Sequence, residues 1–242
     1  MTPTVHRADD REALSRAAAQ FLVDDIHATL ETQDAYTLAL AGGSTPRRLY
    51  ELLGAGDAGD VPWDRVHLFW GDERYVSHDH PKSNVRLVRE TLLASAVVTE
   101  ANVHPVPTHH DTAEAAAAAY TDTLQTHFDD RAATFDTVLL GLGSDGHTAS
   151  LFPEAPSLTD NERWVRVVTA PPRHDVSTRI SCTLPVLNGA RQAIFLVSGT
   201  RKAEALRGVL DRRDSSLPAT HVRPREACRW YVDRAARPNA ND

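Results

Sequence analysis

The chain has 242 residues with a formal net charge of -7, and 41% of its residues are hydrophobic. This balance predicts a globular protein with a sizeable core, and it excludes binding to nucleic acid through a basic surface. The only cysteines, Cys182 and Cys228, exclude a disulfide framework, and no stretch approaches the ~18 apolar residues of a membrane span. Because segment 1–10 lacks the apolar core of a signal peptide, we expect a cytoplasmic protein.

The first half of the chain alternates helical spacing with short apolar runs. Apolar residues recur at helical spacing in the predicted helices, whereas the predicted strands are continuous apolar runs that stop at glycine. Pro46 stands in the first turn of the second helix, and Gly54 follows its last apolar position. In chain order we predict a helix over 10–33, a strand over 36–41, a helix over 47–53, a strand over 66–70 and helices over 83–94 and 111–128.

The second half continues this alternation. A buried strand runs into a glycine-rich loop, two strands of period-two character follow, and then comes a strand–helix–strand unit. Strands that alternate with helices favour a mostly parallel sheet covered on both faces, and no linker divides the chain, so we predict one α/β domain over residues 1–242. The predicted elements are strands over 137–142, 164–169, 178–184 and 193–197, a helix over 200–210, a strand over 228–232 and a frayed tail over 234–242.

Ligands of open α/β sheets bind beyond the carboxyl ends of the strands, and one candidate site there follows the strand over 36–41. Its residues are Gly42, Gly43, Ser44 and Thr45. Glycines let a ligand approach the backbone, and hydroxyl and N–H groups at the positive end of a helix suit a phosphate or another anion. The same residues are also typical of a plain helix N-cap, and both interpretations stay open.

A charged cluster of Asp72, Glu73 and Arg74 follows the strand over 66–70. Three charges at a strand end are unfavourable to bury unless they are used or paired. The planar guanidinium of Arg74 suits a phosphate or a carboxylate-like oxygen. The alternative is a solvated turn with an internal Asp72–Arg74 pair, and for this segment taken alone we favour it.

The glycine-rich loop over 141–150 carries Asp145 and His147 directly after a buried strand. A histidine at this edge of a sheet is a candidate general acid or base, because its ordinary pKa lies near neutrality. Asp145 is a candidate to orient the imidazole or to contact substrate hydroxyls.

Two further cations belong to the candidate set: Arg179, just before a predicted strand, and Lys202, in the first turn of a predicted helix. A cation is unfavourable at that end of a helix dipole, and a bound phosphate would offset the cost. The alternative for Lys202 is that its flexible side chain reaches solvent.

The histidines, 12 in all, do not show the spacing of a metal site, since neither HExxH nor a Cys/His ligand pattern occurs. Asp145 and His147 alone are a weak signal for a metal, so we expect no metal and no cofactor. The histidines of the polar loops are predicted at the surface, namely His78, His80, His109 and His110.

Taken together, these segments resemble the 6-phosphogluconolactonase family, part of the glucosamine-6-phosphate isomerase/6-phosphogluconolactonase superfamily. The matching stretches follow the family's order and cover the chain nearly end to end, and GLGSDGHTASLFP is the most specific of them. They are LALAGGSTPRRLYELL (38–53), VHLFWGDERYV (66–76), KSNVRLVRETLL (82–93), FDTVLLGLGSDGHTASLFP (135–153), RISCTLPVLNGA (179–190), FLVSGTRKAEAL (195–206) and the LPA…WYVD ending (217–233).

The resemblance implies a Rossmann-like three-layer α/β/α fold, phosphate binding by the loop over 42–45 and catalysis by His147. It leaves open whether Arg74 binds the phosphate or the lactone oxyanion. The other residues that it places near the substrate are Asp72, Arg179 and Lys202, with Lys202 matching a phosphate-contacting lysine.

The implied activity is hydrolysis of 6-phospho-D-glucono-1,5-lactone to 6-phospho-D-gluconate, the second step of the oxidative pentose phosphate pathway. A δ-lactone is an ester, so His147 would take the proton of an attacking water. Backbone N–H groups of the glycine-rich loop, or Arg74, would stabilise the oxyanion. The expected partner is this small sugar-phosphate lactone, with no nucleic acid and no membrane, and the protein is expected to be a monomer or a weak homo-oligomer.

Two alternatives stay open. An amino-sugar-phosphate isomerase/deaminase of the same superfamily needs a carboxylate base and a glutamate shortly after the histidine. That position is Phe152 in this chain, although Asp72 remains as a base and Glu154 lies beyond Pro153. The other alternative is a non-catalytic sugar-phosphate-binding module, as in the effector domain of a regulator. Such a regulator needs a DNA-binding module, and the sequence before the first predicted strand shows no helix-turn-helix, which argues against this alternative.

Overall fold

Within the residues described by this computed structural model (2–129, 133–153, 155, 160 and 162–237), six parallel strands form the main sheet. They are β1 (Thr4–Ala8), β2 (Tyr36–Leu40), β3 (Val66–Trp70), β5 (Thr137–Gly141), β8 (Gln192–Val197) and β9 (Ala227–Asp233). Their order across the sheet is β1-β9-β8-β5-β2-β3. Every residue of β2 and β8 is buried, and successive side chains of a strand point to opposite faces, so both faces of the sheet are covered. The predicted α/β fold with a mostly parallel sheet is confirmed.

A smaller antiparallel sheet lies beside the main one and has the order β4-β7-β6. Its strands are β4 (Asp72–Arg74), β6 (Val165–Thr169) and β7 (Thr178–Cys182). The sequence predicts β6 and β7 as strands but leaves the Asp72–Arg74 segment as a turn, and that prediction is wrong. Three charged residues carry no strand pattern, and β4 forms because β7 supplies its antiparallel partner.

The helices agree with the predicted ones in place and differ mainly at their ends. They are α1 (Arg11–Leu30), α2 (Ser44–Ala55), α3 (Asn84–Glu90), α4 (Ala113–His127), α5 (Leu184–Gly189) and α6 (Ala203–Arg207). The side chains of Asp10 and Thr112 accept hydrogen bonds from first-turn N–H groups of α1 and α4. The predicted helix over 200–210 divides into a 3₁₀ turn, α6 and a π-helical turn. Helix α5 and strand β1 are not predicted, because α5 is short and β1 is largely polar.

The strand order places a crevice at the carboxyl ends of the strands of the main sheet. Strand β3 adjoins β2 on one side, and β5 adjoins β2 on the other. The connections that leave β2 and β5 therefore diverge, which opens a crevice beyond the carboxyl ends of these strands.

Among the residues that the structure describes, none of the helices combines the length and the apolar character that a bilayer crossing requires. Cys182 and Cys228 are both free and buried. Of the tail predicted to fray, residues 234–237 are described, and Ala236 is buried there, which contradicts the prediction for this part. Residues 238–242 lie outside the described part of the chain.

Candidate active site

The candidate residues predicted from the sequence meet in one crevice at the carboxyl ends of β2, β3, β5 and β8. They come from segments 42–45, 72–74 and 141–150 and from the two cations Arg179 and Lys202. The crevice has a volume of about 270 Å³. The predicted site residues that line it are Gly42, Gly43, Ser44, Thr45, Asp72, Arg74, His147, Arg179 and Lys202. Asp145 does not line the crevice, but its carboxylate contacts the imidazole of His147.

His147 is held by a carboxylate. Its Nδ1 lies 2.5 Å from Oδ1 of Asp145, whose second oxygen pairs with Arg173. Burial acts to raise the pKa of Asp145, but the hydrogen bond and charge of His147 and the bond from Arg173 outweigh it and hold that pKa well below its usual range. An ionised carboxylate only accepts hydrogen bonds, so Nδ1 carries the proton and Nε2 remains as the basic nitrogen. A Cβ at position 143 would stand 2.0 Å from Nδ1 of His147, which explains the glycine there.

Two rings pack against the imidazole of His147. The centroid of the buried Phe152 ring is 4.8 Å from that of His147, and the His174 ring is 5.3 Å away. His174 also lines the crevice, and burial, followed by the charge of His147, lowers its pKa. His174 was not predicted as a site residue, because it lies in the loop between β6 and β7, where no periodic pattern or motif points to it.

Arg74 and Arg179 stand directly opposite each other in the β4–β7 pair, and both line the crevice. Like charges in such a pair are destabilising, and Arg179 is only 8% exposed. Burial, followed by the charge of Arg74, lowers the pKa of Arg179. Its Nε donates to the carbonyl oxygen of Val176 at 2.9 Å. An anion in the crevice would relieve the repulsion between the two guanidinium groups, so this pair favours an anion-binding interpretation of the crevice.

Asp72 and Arg74 do not form the internal ion pair that the sequence analysis favours. Oδ2 of Asp72 accepts a hydrogen bond from the Ser150 hydroxyl at 2.6 Å, and Arg74 donates to Oδ1 of Asn84 at 2.6 Å. Asn84 also donates to the carbonyl oxygen of Asp72 at 2.8 Å, so this residue, which the sequence analysis missed, joins the two. A Cβ at Gly42 would lie 1.9 Å from Oδ1 of Asn84, so a glycine is required where the two segments approach.

Glu73 points away from the crevice and is completely buried. Its carboxylate accepts hydrogen bonds from the backbone N–H groups of Arg74 and Asn84, both at 2.7 Å, and of Val85 at 2.8 Å. It also accepts one from the hydroxyl of Ser83 at 2.9 Å. Glu73 therefore joins β4 to the start of α3 and fixes the segment that carries Arg74 and Asn84.

We expect Glu73→Ala to lower the free energy of unfolding by at least about 3 kcal/mol, because it leaves several buried donors without an acceptor. Urea denaturation measures this loss. Glu31→Ala, at an exposed position, is the matched control and should change the free energy by no more than about 0.5 kcal/mol. Equal stability of the two variants would contradict a structural role for Glu73.

The segment from Gly42 to Thr45 is not a plain side-chain N-cap. The N-cap of α2 is Gly43, which has no side chain to cap with, and Ser44 and Thr45 are already the first helical residues. The first-turn N–H groups of α2 thus lack a side-chain acceptor from the N-cap, at a helix end that lines the crevice. This arrangement favours the anion-binding interpretation.

Lys202 lies at the end of the 3₁₀ turn that follows β8. Burial, followed by the charge of Arg201, lowers its pKa, and the side chain lines the crevice. Asp233 holds the turn from the end of β9, accepting bonds from the hydroxyl of Ser198 at 2.6 Å and from the N–H of Gly199 at 3.0 Å. Asp233 was not predicted as a site residue.

Two groups of side chains in the described part of the chain have the composition of a metal site. Asp145, His147 and His174 form one at the crevice, and the other, away from it, consists only of histidines. Of the loop histidines, His80 and His109 are exposed as predicted. His78 and His110 are half-buried, which corrects the prediction, and Nε2 of His78 donates to the carbonyl oxygen of Val106 at 2.8 Å.

Comparison with known proteins gives one consistent result. The model of the family "Glucosamine-6-phosphate isomerases/6-phosphogluconolactonase" matches residues 9–230. A 6-phosphogluconolactonase of Synechocystis sp. is 39% identical over 244 residues, which covers 99% of this chain and 99% of that protein. The solved 6-phosphogluconolactonase of Thermotoga maritima has a TM-score of 0.84 and 31% identity over 96% of this chain and 100% of its own. That of Trypanosoma cruzi has a TM-score of 0.87 and 28% identity over 100% of this chain and 99% of its own. This chain therefore belongs to the glucosamine-6-phosphate isomerase/6-phosphogluconolactonase family.

Proposed function

We propose that this protein hydrolyses 6-phospho-D-glucono-1,5-lactone to 6-phospho-D-gluconate, the second step of the oxidative pentose phosphate pathway. The observation that carries the proposal is the His147–Asp145 pair in a crevice that Arg74, Arg179 and Lys202 also line. The hydrogen bond to Asp145 fixes the tautomer of His147, and the three cations of the crevice can attract an anionic substrate. The names of the relatives agree with this activity.

The first chemical step is the attack of water on the lactone carbonyl carbon. Nε2 of His147 takes the proton of the water as the new C–O bond forms. Asp145 stabilises the resulting imidazolium through the hydrogen bond to Nδ1. General-base assistance of this kind contributes about 10²–10⁴-fold.

The second step is the collapse of the tetrahedral intermediate. Its oxyanion accepts hydrogen bonds from Arg74 or from backbone N–H groups of the glycine-rich loop, and each donor contributes about 10²-fold or more. The bond between the carbonyl carbon and the ring oxygen breaks, and the proton on His147 passes to that oxygen. The product is an open-chain acid, which then ionises. No covalent intermediate forms, and Ser150 is engaged by Asp72.

The phosphate of the substrate binds at the start of α2 and at Lys202. The first-turn N–H groups and hydroxyls of Ser44 and Thr45 supply donors, and Lys202 supplies a charge from the neighbouring side of the crevice. Arg179 faces the same space, so it adds to the positive potential that attracts the anionic substrate.

We expect Lys202→Ala to raise KM for the phosphorylated lactone more than it lowers kcat, because a phosphate contact acts equally in the ground and transition states. Steady-state kinetics on phosphorylated and unphosphorylated gluconolactone measure the effect. Lys82→Ala is the matched control, since Lys82 is the other lysine and its exposed side chain pairs with Asp175. An equal loss on both lactones would contradict a phosphate role.

We expect lactone hydrolysis to survive exhaustive chelation. Asp145 is already engaged by His147 and Arg173, and the proposed steps need only a base and hydrogen-bond donors. The rate is measured after EDTA treatment and removal of the chelator, well below the melting temperature. A loss of activity that zinc or manganese restores would sink the metal-free mechanism.

A coupled assay tests the function itself. Glucose-6-phosphate dehydrogenase generates the lactone, and 6-phosphogluconate dehydrogenase reports the acid above the spontaneous background. Accelerated acid formation is expected, whereas thermal stabilisation by sugar phosphates without acceleration would favour the non-catalytic binding module. The cytoplasmic location, the single domain and the monomeric or weakly associated state stay predictions.

A further inference from the structure

Three histidines from different elements meet at the edge of the main sheet, away from the crevice. His67 lies on β3, the edge strand of the sheet. His104 lies beside this strand, because its backbone N–H donates a hydrogen bond to the carbonyl oxygen of Leu68 at 2.8 Å. His127 is the last residue of α4. One nitrogen from each imidazole lies within 4.8 Å of the other two.

The spacing of these nitrogens is close to that of a tetrahedral zinc site. Zinc–imidazole bonds of about 2.0–2.1 Å put two ligand nitrogens about 3.3 Å apart. Nδ1 of His67 and Nε2 of His104 are already 3.1 Å apart. One nitrogen of His127 lies within 4.8 Å of a nitrogen of each of the other two imidazoles, so a movement of about 1.5–2 Å brings it to the spacing of zinc ligands.

Aromatic rings surround the three histidines. Phe69 stacks on His104 with ring centroids 4.4 Å apart and contacts His127 at 4.9 Å. Phe128 contacts His127 edge-on at 5.0 Å. An apolar shell of this kind controls the access of solvent to a metal site, and the half-buried histidines remain within reach of solvent.

The local charge also suits a cation. His127 ends α4, and the carboxyl end of a helix carries a partial negative charge. The carboxylate of Asp129 lies close enough to act on His127. Burial, followed by the charges of His127 and His67, lowers the pKa of His104 to about 4. Burial also lowers the pKa of His67 and of His127. Neutral imidazole is the form that binds metal.

We propose that His67, His104 and His127 bind one zinc-class divalent ion, with water as the fourth ligand. An all-imidazole set favours Zn²⁺, Co²⁺ or Ni²⁺ over Mg²⁺ and Ca²⁺. The ion joins the edge strand β3 to the carboxyl end of α4 and serves stability rather than catalysis. None of the three histidines lines the crevice, and His67 stands four residues before Gly71, about 13 Å along an extended strand.

Zinc titration of the chelator-stripped full-length protein tests the proposal. We expect about one equivalent to bind and to raise the melting temperature, while Mg²⁺ has no effect. Loss of a residue that only supports a metal ligand weakens metal binding by about 10–100-fold. We expect a larger loss of zinc affinity in each of three single variants, His67→Gln, His104→Gln and His127→Gln. His109→Gln, at an exposed histidine outside both groups, is the matched control and should bind like the wild type. Wild-type affinity in all three variants would overturn the proposal.

X-ray absorption spectroscopy of the zinc-loaded wild type separates this site from Asp145, His147 and His174, even where a variant does not fold. Three imidazoles around zinc support the proposal, and two imidazoles with a carboxylate overturn it. Binding of one equivalent should leave the lactone hydrolysis rate unchanged, and inhibition in proportion to binding would place the ion in the crevice instead. The binding and spectroscopic results stand whether or not the protein hydrolyses the lactone.

Discussion

His147→Ala is expected to lower kcat for the lactone by about 10²–10⁴-fold, because it removes the proposed general base for the attacking water. Asp145 and Arg173 remain as an ion pair, and the cations of the crevice are untouched. Binding of 6-phosphogluconate should therefore change little. The loss arises in the chemical step and should appear in kcat rather than in KM.

The coupled assay measures kcat of this variant, and a thermal-shift titration with 6-phosphogluconate measures ligand binding. His109→Ala makes the same substitution at an exposed position outside the crevice and should retain wild-type kinetics. Near-wild-type kcat in a folded His147→Ala protein would reject the assignment. If His174→Ala lost the activity instead, the base would be the neighbouring ring.

The protein is expected to release no ammonia from glucosamine 6-phosphate under conditions in which it hydrolyses the lactone rapidly. Isomerisation moves a proton between adjacent carbons, so it needs a carboxylate base and an acid that opens the sugar ring. The family resemblance implies that a deaminase needs a glutamate at the position of Phe152, whose ring packs against His147 with centroids 4.8 Å apart. A phenyl ring has no proton to donate to the ring oxygen. Glu154 lies outside the described residues.

Asp72 is the group that keeps the deaminase alternative open, since it lines the crevice and its carboxylate bonds to Ser150. The comparison needs one enzyme preparation with two substrates, and ammonia and acid are measured in parallel. A glucosamine-6-phosphate deaminase of known activity, assayed in parallel, is the positive control for ammonia detection. Ammonia release at a rate comparable to lactone hydrolysis would replace the lactonase proposal by the deaminase.

The central elements of the fold could be predicted because their residues carry a strong local signal. Strands β2, β3, β5 and β8 are mostly apolar and mostly buried, with His67 of β3 half-buried, and glycine or a polar turn ends each of them. The candidate residues follow from the same pattern. Parallel strands present their carboxyl ends at one edge of the sheet, so polar side chains that follow different strands, such as Arg74 and His147, meet in one crevice.

The elements that were missed lack such a signal. Strand β4 consists of charged residues and forms because β7 pairs with it. Asn84 lies in the matching stretch over 82–93 and His174 in a loop without a motif, and they enter the site through the approach of α3 and of the β6–β7 loop. No spacing along the chain distinguishes them from surface residues.

The sequence by itself determined the parallel α/β core, the carboxyl-end location of the crevice and the histidine and cations that line it, because each of these depends on short-range patterns. Only the tertiary structure decided which polar groups contact one another. Asp72 turns to Ser150 rather than to Arg74, and Glu73 is buried as an anchor for α3. His67 and His104 are 37 residues apart in the chain but 3.1 Å apart in space. Contacts between distant segments depend on strand order and helix packing, and a local sequence pattern predicts neither of these.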